Sequence, residues 1–358
     1  MADHKCNNLS DLDMDDGRPR PHTSAVMFSA AVVGNIVALV LLEVRRRTTS
    51  PSLYHVLATA LLMTDLLGNI AVSPVVLTAY AQGKTLVGMS SGGELCAYFG
   101  FSMTFLCLCT LALLWLLAVE RYVSIGHPYF YERHLSKRCG YITISVVYLS
   151  SVIFSLSGFG QYVQYCPGTW CFLKMSHAEG NYTVYIGFYA SFILILTSST
   201  VVCNMCVIFH LVVMHRRHKK LRGRAFARSQ YRRSLSMTEE VEHLLPLAVI
   251  TVVFICCTFP IVLQVYINIT GSSKEDDTSD LKALRLLSFH SIINPWVFII
   301  LRPSVLKIIW RKLRKRQCRV IWGKTVSTNH KKTEEGHVVQ DDNGHSRREV
   351  AQNKTSQV

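Results

Sequence analysis

Seven blocks of apolar residues, each close to or above the ~20 residues that cross a bilayer as a helix, alternate with short polar links. They run from about Ser24 to Val44, Leu53 to Tyr80, Glu94 to Val123, Cys139 to Phe159, Tyr182 to Met214, Val241 to Ile269 and Leu281 to Leu301. A soluble chain of 358 residues would divide into two domains, but one that is half hydrophobic and gathers its apolar residues into such blocks has a membrane pattern. The expected architecture is an all-α membrane protein, a seven-transmembrane helix bundle over residues 24–302.

Charge sets the orientation. The formal charge of +15 collects after spans one, three, five and seven, at Arg45–Arg47, at Arg133 with Lys137 and Arg138, in the run Arg216–Arg233, and from Arg311 to Arg319. The opposite links carry only scattered lysines such as Lys84, Lys174 and Lys274. The positive-inside rule therefore puts the amino terminus outside the cell and the carboxyl terminus in the cytoplasm. Basic clusters at that depth meet anionic lipid or a cytoplasmic partner, so nucleic acid is not the expected partner.

Residues 1–23 are polar, lack the apolar core of a signal peptide, and are expected to be a disordered extracellular tail. Residues 303–315 place Val305, Leu306, Ile309 and Leu313 on one side and fit a short amphipathic eighth helix on the cytoplasmic surface. Cys318 just beyond is a palmitoylation candidate or a plain thiol, and residues 316–358 are expected to be a disordered cytoplasmic tail. Glycosylation sequons at Asn8, Asn181 and Asn268 fall outside the cell, whereas Asn353 falls inside and should stay bare.

Cys6, Cys96, Cys166 and Cys171 lie on the outer side, where disulfides persist. A bridge from Cys96 to Cys171 would pin the second outer link over the bundle. Cys6 with Cys166 would then tie down the tail, a free Cys6 being the alternative.

The last block departs most from a plain span. It carries Arg285 about one turn inside its outer end, and Asn294-Pro295 near its inner end, where the backbone ladder is weakened. A cation in such a segment either snorkels to the interface or answers an anion, and a guanidinium suits bidentate pairing with a carboxylate. The outer run Gln164–Phe172, rich in turn and aromatic residues, suits a lid over the bundle mouth. A transporter would show internal repeats and an enzyme a nucleophile–base pair or metal-spaced ligands; neither pattern is present, and no cofactor or metal is expected.

Several motifs agree in order and spacing with one family. Asn35 follows Gly34 in span one, Asp65 sits in span two, Glu120-Arg121-Tyr122 closes span three, Pro260 lies in span six, and Asn294-Pro295 in span seven. Together they resemble the rhodopsin-like receptors. The resemblance implies that Glu120 holds Arg121 at rest and releases it to a G protein when spans five and six move. Thr258 stands where that family's toggle tryptophan is expected, and Phe298 where a tyrosine is usual. Met103 occupies the position at which amine receptors carry an aspartate, and Ser288 that of the opsins' retinal lysine, so neither ligand class fits. Asp65 with Asn35, Thr110, Ser291 and Asn294 would form either a sodium site or, with His290 nearby, a plain hydrogen-bonded network.

Within that family, Gly168-Thr169-Trp170-Cys171-Phe172, Arg285, Pro295-Trp296-Val297-Phe298 and Gly126-His127-Pro128-Tyr129-Phe130-Tyr131 resemble the prostanoid receptors, those for E-type prostaglandins above all. The resemblance implies prostaglandin E2 as ligand, the stimulatory G protein and cyclic AMP as output, and receptor kinases and arrestin as further partners. It places the ligand carboxylate on Arg285, with Tyr80 and Thr169 donating to it, and the rest of the lipid against Ser24, Met27, Met103 and Ser288. On the inner face it makes Tyr129, Phe130 and Tyr131 an aromatic plug for the G protein. Receptors for prostacyclin or prostaglandin D2 share the same clamp and coupling.

Overall fold

Because hydrocarbon offers no partners to a backbone N–H or C=O, the apolar blocks satisfy their own groups as helices. The computed structural model describes residues 10–12, 21–48, 52–90, 92–165, 168–175, 181–221, 249, 252–253, 255–270 and 277–300. Its helices are α1 (Pro21–Thr48), α2 (Leu53–Gln82), α3 (Glu94–Gly126), α4 (Pro128–His134), α5 (Lys137–Ser157), α6 (Asn181–Leu221), α7 (Ile255–Ile269) and α8 (Asp277–Ile300). Five of them are long and apolar enough to cross a membrane: α1, α2, α3, α5 and α6. The described part of α7 is shorter, and α8 carries Asp280, Lys282 and Arg285 in its outer turns. The expected amphipathic helix over 303–315, the tail 316–358, Cys6, Asn8, Cys166 and the basic run from 222 to 233 lie outside the described residues.

The helix ends follow local chemistry. α1 opens on Pro21, three residues before the expected boundary, where a missing N–H costs nothing in a first turn. α2 continues through Pro74 and stops at Gly83, whose φ of 63° closes the last turn onto the Ala79 carbonyl. Ser136 caps α5 by accepting from the Cys139 N–H.

The bundle is arranged around α3. It packs against α2, α5, α6, the short α4 and the outer hairpin, and buries residues on every side from Cys96 to Arg121. The outer helices instead turn apolar side chains outward: Val33, Val37 and Val40 on α1, Ile142, Val146 and Leu149 on α5, and Phe188, Ile195 and Val202 on α6. Such surfaces belong against lipid.

Two elements were not expected. The second outer link folds into an antiparallel hairpin, β1 (Tyr162–Tyr165) and β2 (Trp170–Leu173), in the register Tyr162 opposite Leu173 and Tyr165 opposite Trp170. Part of the tail expected to be disordered is also ordered, since Ser10–Leu12 pair with the link after α2 through Asp11 and Lys84. Backbone groups on that link are free to take a partner once α2 ends at Gly83, and the tail supplies one.

The hairpin sits directly on α3. Gly100 leaves room for the Tyr162 ring, which a Cβ at that position would overlap, and the Tyr162 hydroxyl donates to the Ser155 carbonyl at 2.9 Å. Gly100→Ala should therefore displace Tyr162 and destabilise the fold by about 1–3 kcal/mol, as overpacking does. The check is the thermal unfolding midpoint in detergent, with Tyr162→Ala in the same background expected to recover part of the loss.

Candidate ligand site and cytoplasmic switch

The hairpin is tied to α3 by a disulfide between Cys96 and Cys171, as the sequence led us to expect. That bond brings Trp170 edge-on to Phe99, with ring centroids 5.6 Å apart, and roofs a cavity of ≈ 130 Å³. Ser24, Met27, Met103 and Ser288 all line it, at the places anticipated for the body of a lipid. So do Gly68, Val72 and Val76, which recur every fourth residue on one face of α2 and were not anticipated. Among the described residues the lining comes from α1, α2, α3, α8 and Trp170, with none from α6 or α7.

Arg285, Tyr80 and Thr169, the three expected carboxylate contacts, are not among the residues that line the cavity. Arg285 is half-buried one turn above Ser288, and its electrostatic neighbour is the half-buried Tyr80. Among the described residues no carboxylate forms an ion pair with Arg285. Thr169 is fully buried in the hairpin turn, and its hydroxyl has no hydrogen-bond partner among the described residues. A cation and a donor, both partly or wholly withdrawn from water and both without an anion among the described residues, make a setting that favours an acidic group from outside.

The cavity floor is polar. Asp65 accepts from the Thr110 hydroxyl at 3.2 Å and from the Asn294 amide at 3.1 Å, which joins α2, α3 and α8. Among the described residues Asn35 and Ser291 make no hydrogen bond to Asp65; each donates to its own helix, to the Ala31 and Ser288 carbonyls respectively. The five-residue cluster anticipated from sequence is thus a three-residue network. Pro260 lies within α7, where Thr258 is buried, and Pro295 within α8.

On the outer surface Asn181 opens α6. Asn268 is half-buried in the last turn of α7 and donates from its amide nitrogen to both oxygens of buried Asp280 at 3.3 Å. A glycan needs that same nitrogen, so the geometry disfavours the expectation for this sequon.

At the inner end of α3, Glu120 and Arg121 form a buried ion pair at 2.9 Å, without the alignment of a hydrogen bond because they are neighbours on one helix. Two aromatic residues complete the enclosure. Tyr131 donates to Glu120 Oε1 at 2.9 Å, and the Arg121 guanidinium lies 4.0 Å from the centre of the Tyr54 ring on α2. Burial, and then the Glu120 charge, push the Tyr131 phenol up, so it remains a protonated donor. Tyr131 faces inward to Glu120, while Tyr129 and Phe130 on the same short helix are 89% and 54% exposed. Tyr122 packs edge-on to His127, 5.8 Å between centroids. Tyr54 was missed because nothing in its sequence neighbourhood marks it as facing α3.

The comparisons with known proteins agree with this arrangement. Residues 34–298 match the model of the 7 transmembrane receptor (rhodopsin family). The chain is 46% identical over 310 residues, 81% of its length and 84% of the relative's, to the human prostaglandin E2 receptor EP2 subtype. It is 42% identical over 317 residues, 82% of its length and 88% of the relative's, to the mouse prostaglandin D2 receptor. The fold is similar to squid rhodopsin, with a TM-score of 0.66 at 14% identity over 83% of this chain and 82% of that one. The chain belongs to the rhodopsin family of seven-transmembrane receptors, and within it to the prostanoid receptors.

Enclosure of Arg121 predicts the behaviour of two variants. Tyr131→Phe removes a bond to a charged group, ordinarily about 1.5–3 kcal/mol, and Tyr54→Leu a cation–π contact of about 0.5–2 kcal/mol. Each should raise ligand-independent nucleotide exchange on a purified G protein, and the double variant more than either. Basal exchange equal to wild type in all three would show that the enclosure does not restrain Arg121.

Proposed function

We propose that this chain is a receptor for prostaglandin E2 that couples to the stimulatory G protein and raises cyclic AMP, at the plasma membrane with its amino terminus outside. The observation that carries the reading is Arg285, a half-buried guanidinium with no carboxylate partner among the described residues, above a mostly apolar cavity under a disulfide-tied lid. That geometry suits a lipid with an acidic head, and the extent of the likeness to the human prostaglandin E2 receptor favours the E type among such lipids. In this reading the carboxylate pairs with Arg285 and accepts from Tyr80 and Thr169, while Ser24, Met27, Met103 and Ser288 meet the ring and chains.

On the cytoplasmic side, release of Arg121 from Glu120 exposes it to the G protein, with exposed Tyr129 and Phe130 as the neighbouring apolar contact. Receptor kinases and arrestin then act on the cytoplasmic tail. A second reading, prostaglandin D2 with the same coupling, is favoured by the 42% identity to the mouse receptor of that name. Prostacyclin belongs with it on chemistry alone, because all three ligands present one carboxylate and differ around the ring.

Cyclic AMP measured in transfected cells against a panel of prostanoids separates these readings, with prostaglandin E2 expected as the most potent. Two charge-assisted bonds at about 1.5–3 kcal/mol each imply that Arg285→Ala abolishes high-affinity binding while surface expression survives. Unchanged affinity in that variant would refute the carboxylate site. Replacing Tyr129 and Phe130 together by alanine should lower cyclic AMP output and leave ligand affinity as it was; full output would remove them from the interface.

A further inference from the structure

The ordered piece of the tail, Ser10–Leu12, lies along the outer link that follows α2. The Leu12 N–H donates to the Gly83 carbonyl at 2.9 Å, and the Thr85 N–H to the Ser10 carbonyl at 3.0 Å. The Thr85 hydroxyl adds a longer contact to that same carbonyl at 3.4 Å, and the Leu12 side chain packs against the core. Gly88 makes the seat for Ser10, because a Cβ there would overlap the Ser10 backbone.

The same link also holds the lid. The Leu86 N–H donates to the Gly168 carbonyl at 2.9 Å, and the Val87 N–H to the side-chain oxygen of buried Gln164 at 2.9 Å. Gly168 adopts φ of 107° and leaves no space for a Cβ beside Thr85. Thr169, with its buried and unpartnered hydroxyl, is the next residue. Tail, link and lid are therefore three layers, with the link between the other two.

We infer that Ser10–Leu12 is a latch that positions Thr169 for the ligand's acidic head. The inference rests on the reading that Arg285 and Thr169 receive a carboxylate. The tail residues touch no ligand; they fix the link, the link fixes Gln164 and Gly168, and Thr169 with its hydroxyl follows Gly168 directly. Two backbone bonds and one apolar side chain make a weak clamp. Releasing it loosens one donor without unfolding the bundle.

The test uses the full-length receptor and two probes, prostaglandin E2 and its methyl ester, which keeps the ring and chains but removes the negative charge. Gly88→Val, which evicts Ser10, should lower the affinity for the acid about tenfold, the worth of one charge-assisted bond, and leave that for the ester unchanged. Leu12→Asp, which leaves the link's own sequence intact, should give the same selective loss. Equal loss for both probes would mean a general loosening of the mouth and would overturn the positioning role, as would unchanged acid affinity.

Docking is tested separately without ligand. Asp11→Cys with Lys84→Cys should form a disulfide that Gly88→Val prevents, and no crosslink in the otherwise native chain would overturn the latch. A native receptor that binds acid and ester alike would sink the carboxylate reading and the role of Thr169 with it, while the crosslink would still report where the tail lies.

Discussion

The Cys96–Cys171 bond extends α3, the central helix of the bundle, into the roof of the cavity. The bond joins residues 75 apart in sequence and so seats the hairpin on the helix that runs down the centre of the bundle. The position of the roof then follows from contacts along α3. Trp170 meets Phe99, and Tyr162 fills the space above Gly100. At its other end the same helix carries Glu120 and Arg121. One element thus holds the covered mouth at one membrane face and the charged lock at the other.

Two arginines, Arg121 and Arg285, show how surroundings decide what a guanidinium does. Arg121 is enclosed by an adjacent carboxylate, an aromatic face and a phenol bound to that carboxylate, so its charge is answered within the protein. Arg285 has a tyrosine beside it and, among the described residues, no acid. Asp280 is only five positions away on the same helix, but its carboxylate faces Asn268 across the α7–α8 contact. Charges interact more strongly where water is thinned out, so an unanswered cation at a covered mouth attracts an acid more than the same cation on an open surface.

How far the sequence shows this depends on the length scale of each signal. The spans and their orientation were legible because hydropathy and basic clusters accumulate over twenty residues or more. Arg285 stood out because a cation in an apolar block demands a reason, whereas four cysteines on the outer side leave three pairings open, of which the structure forms Cys96 with Cys171. The hairpin strands, at four residues each, were too short for alternation to register against the aromatic run they contain. The docking of Ser10–Leu12, the inward turn of Tyr131 and the place of Tyr54 over Arg121 depend on which residues of distant elements meet, and one sequence carries no such pairing information. Asn268 shows the converse: a three-residue sequon is legible, but the tertiary bond that occupies its nitrogen is not.

The shape of the cavity also bears on how binding reaches the inner face when the toggle tryptophan is absent. A ligand shifts a conformational equilibrium only through contacts that differ between the two states. Thr258 is buried in α7, and no described residue of α7 lines the cavity, so contacts made there fall first on α1, α2, α3 and α8. The lining descends to Asp65 and Thr110, and Asp65 is bonded to Asn294, the residue before Pro295. The floor of the cavity is therefore part of the network that joins three helices, at the level where the proline weakens the α8 backbone.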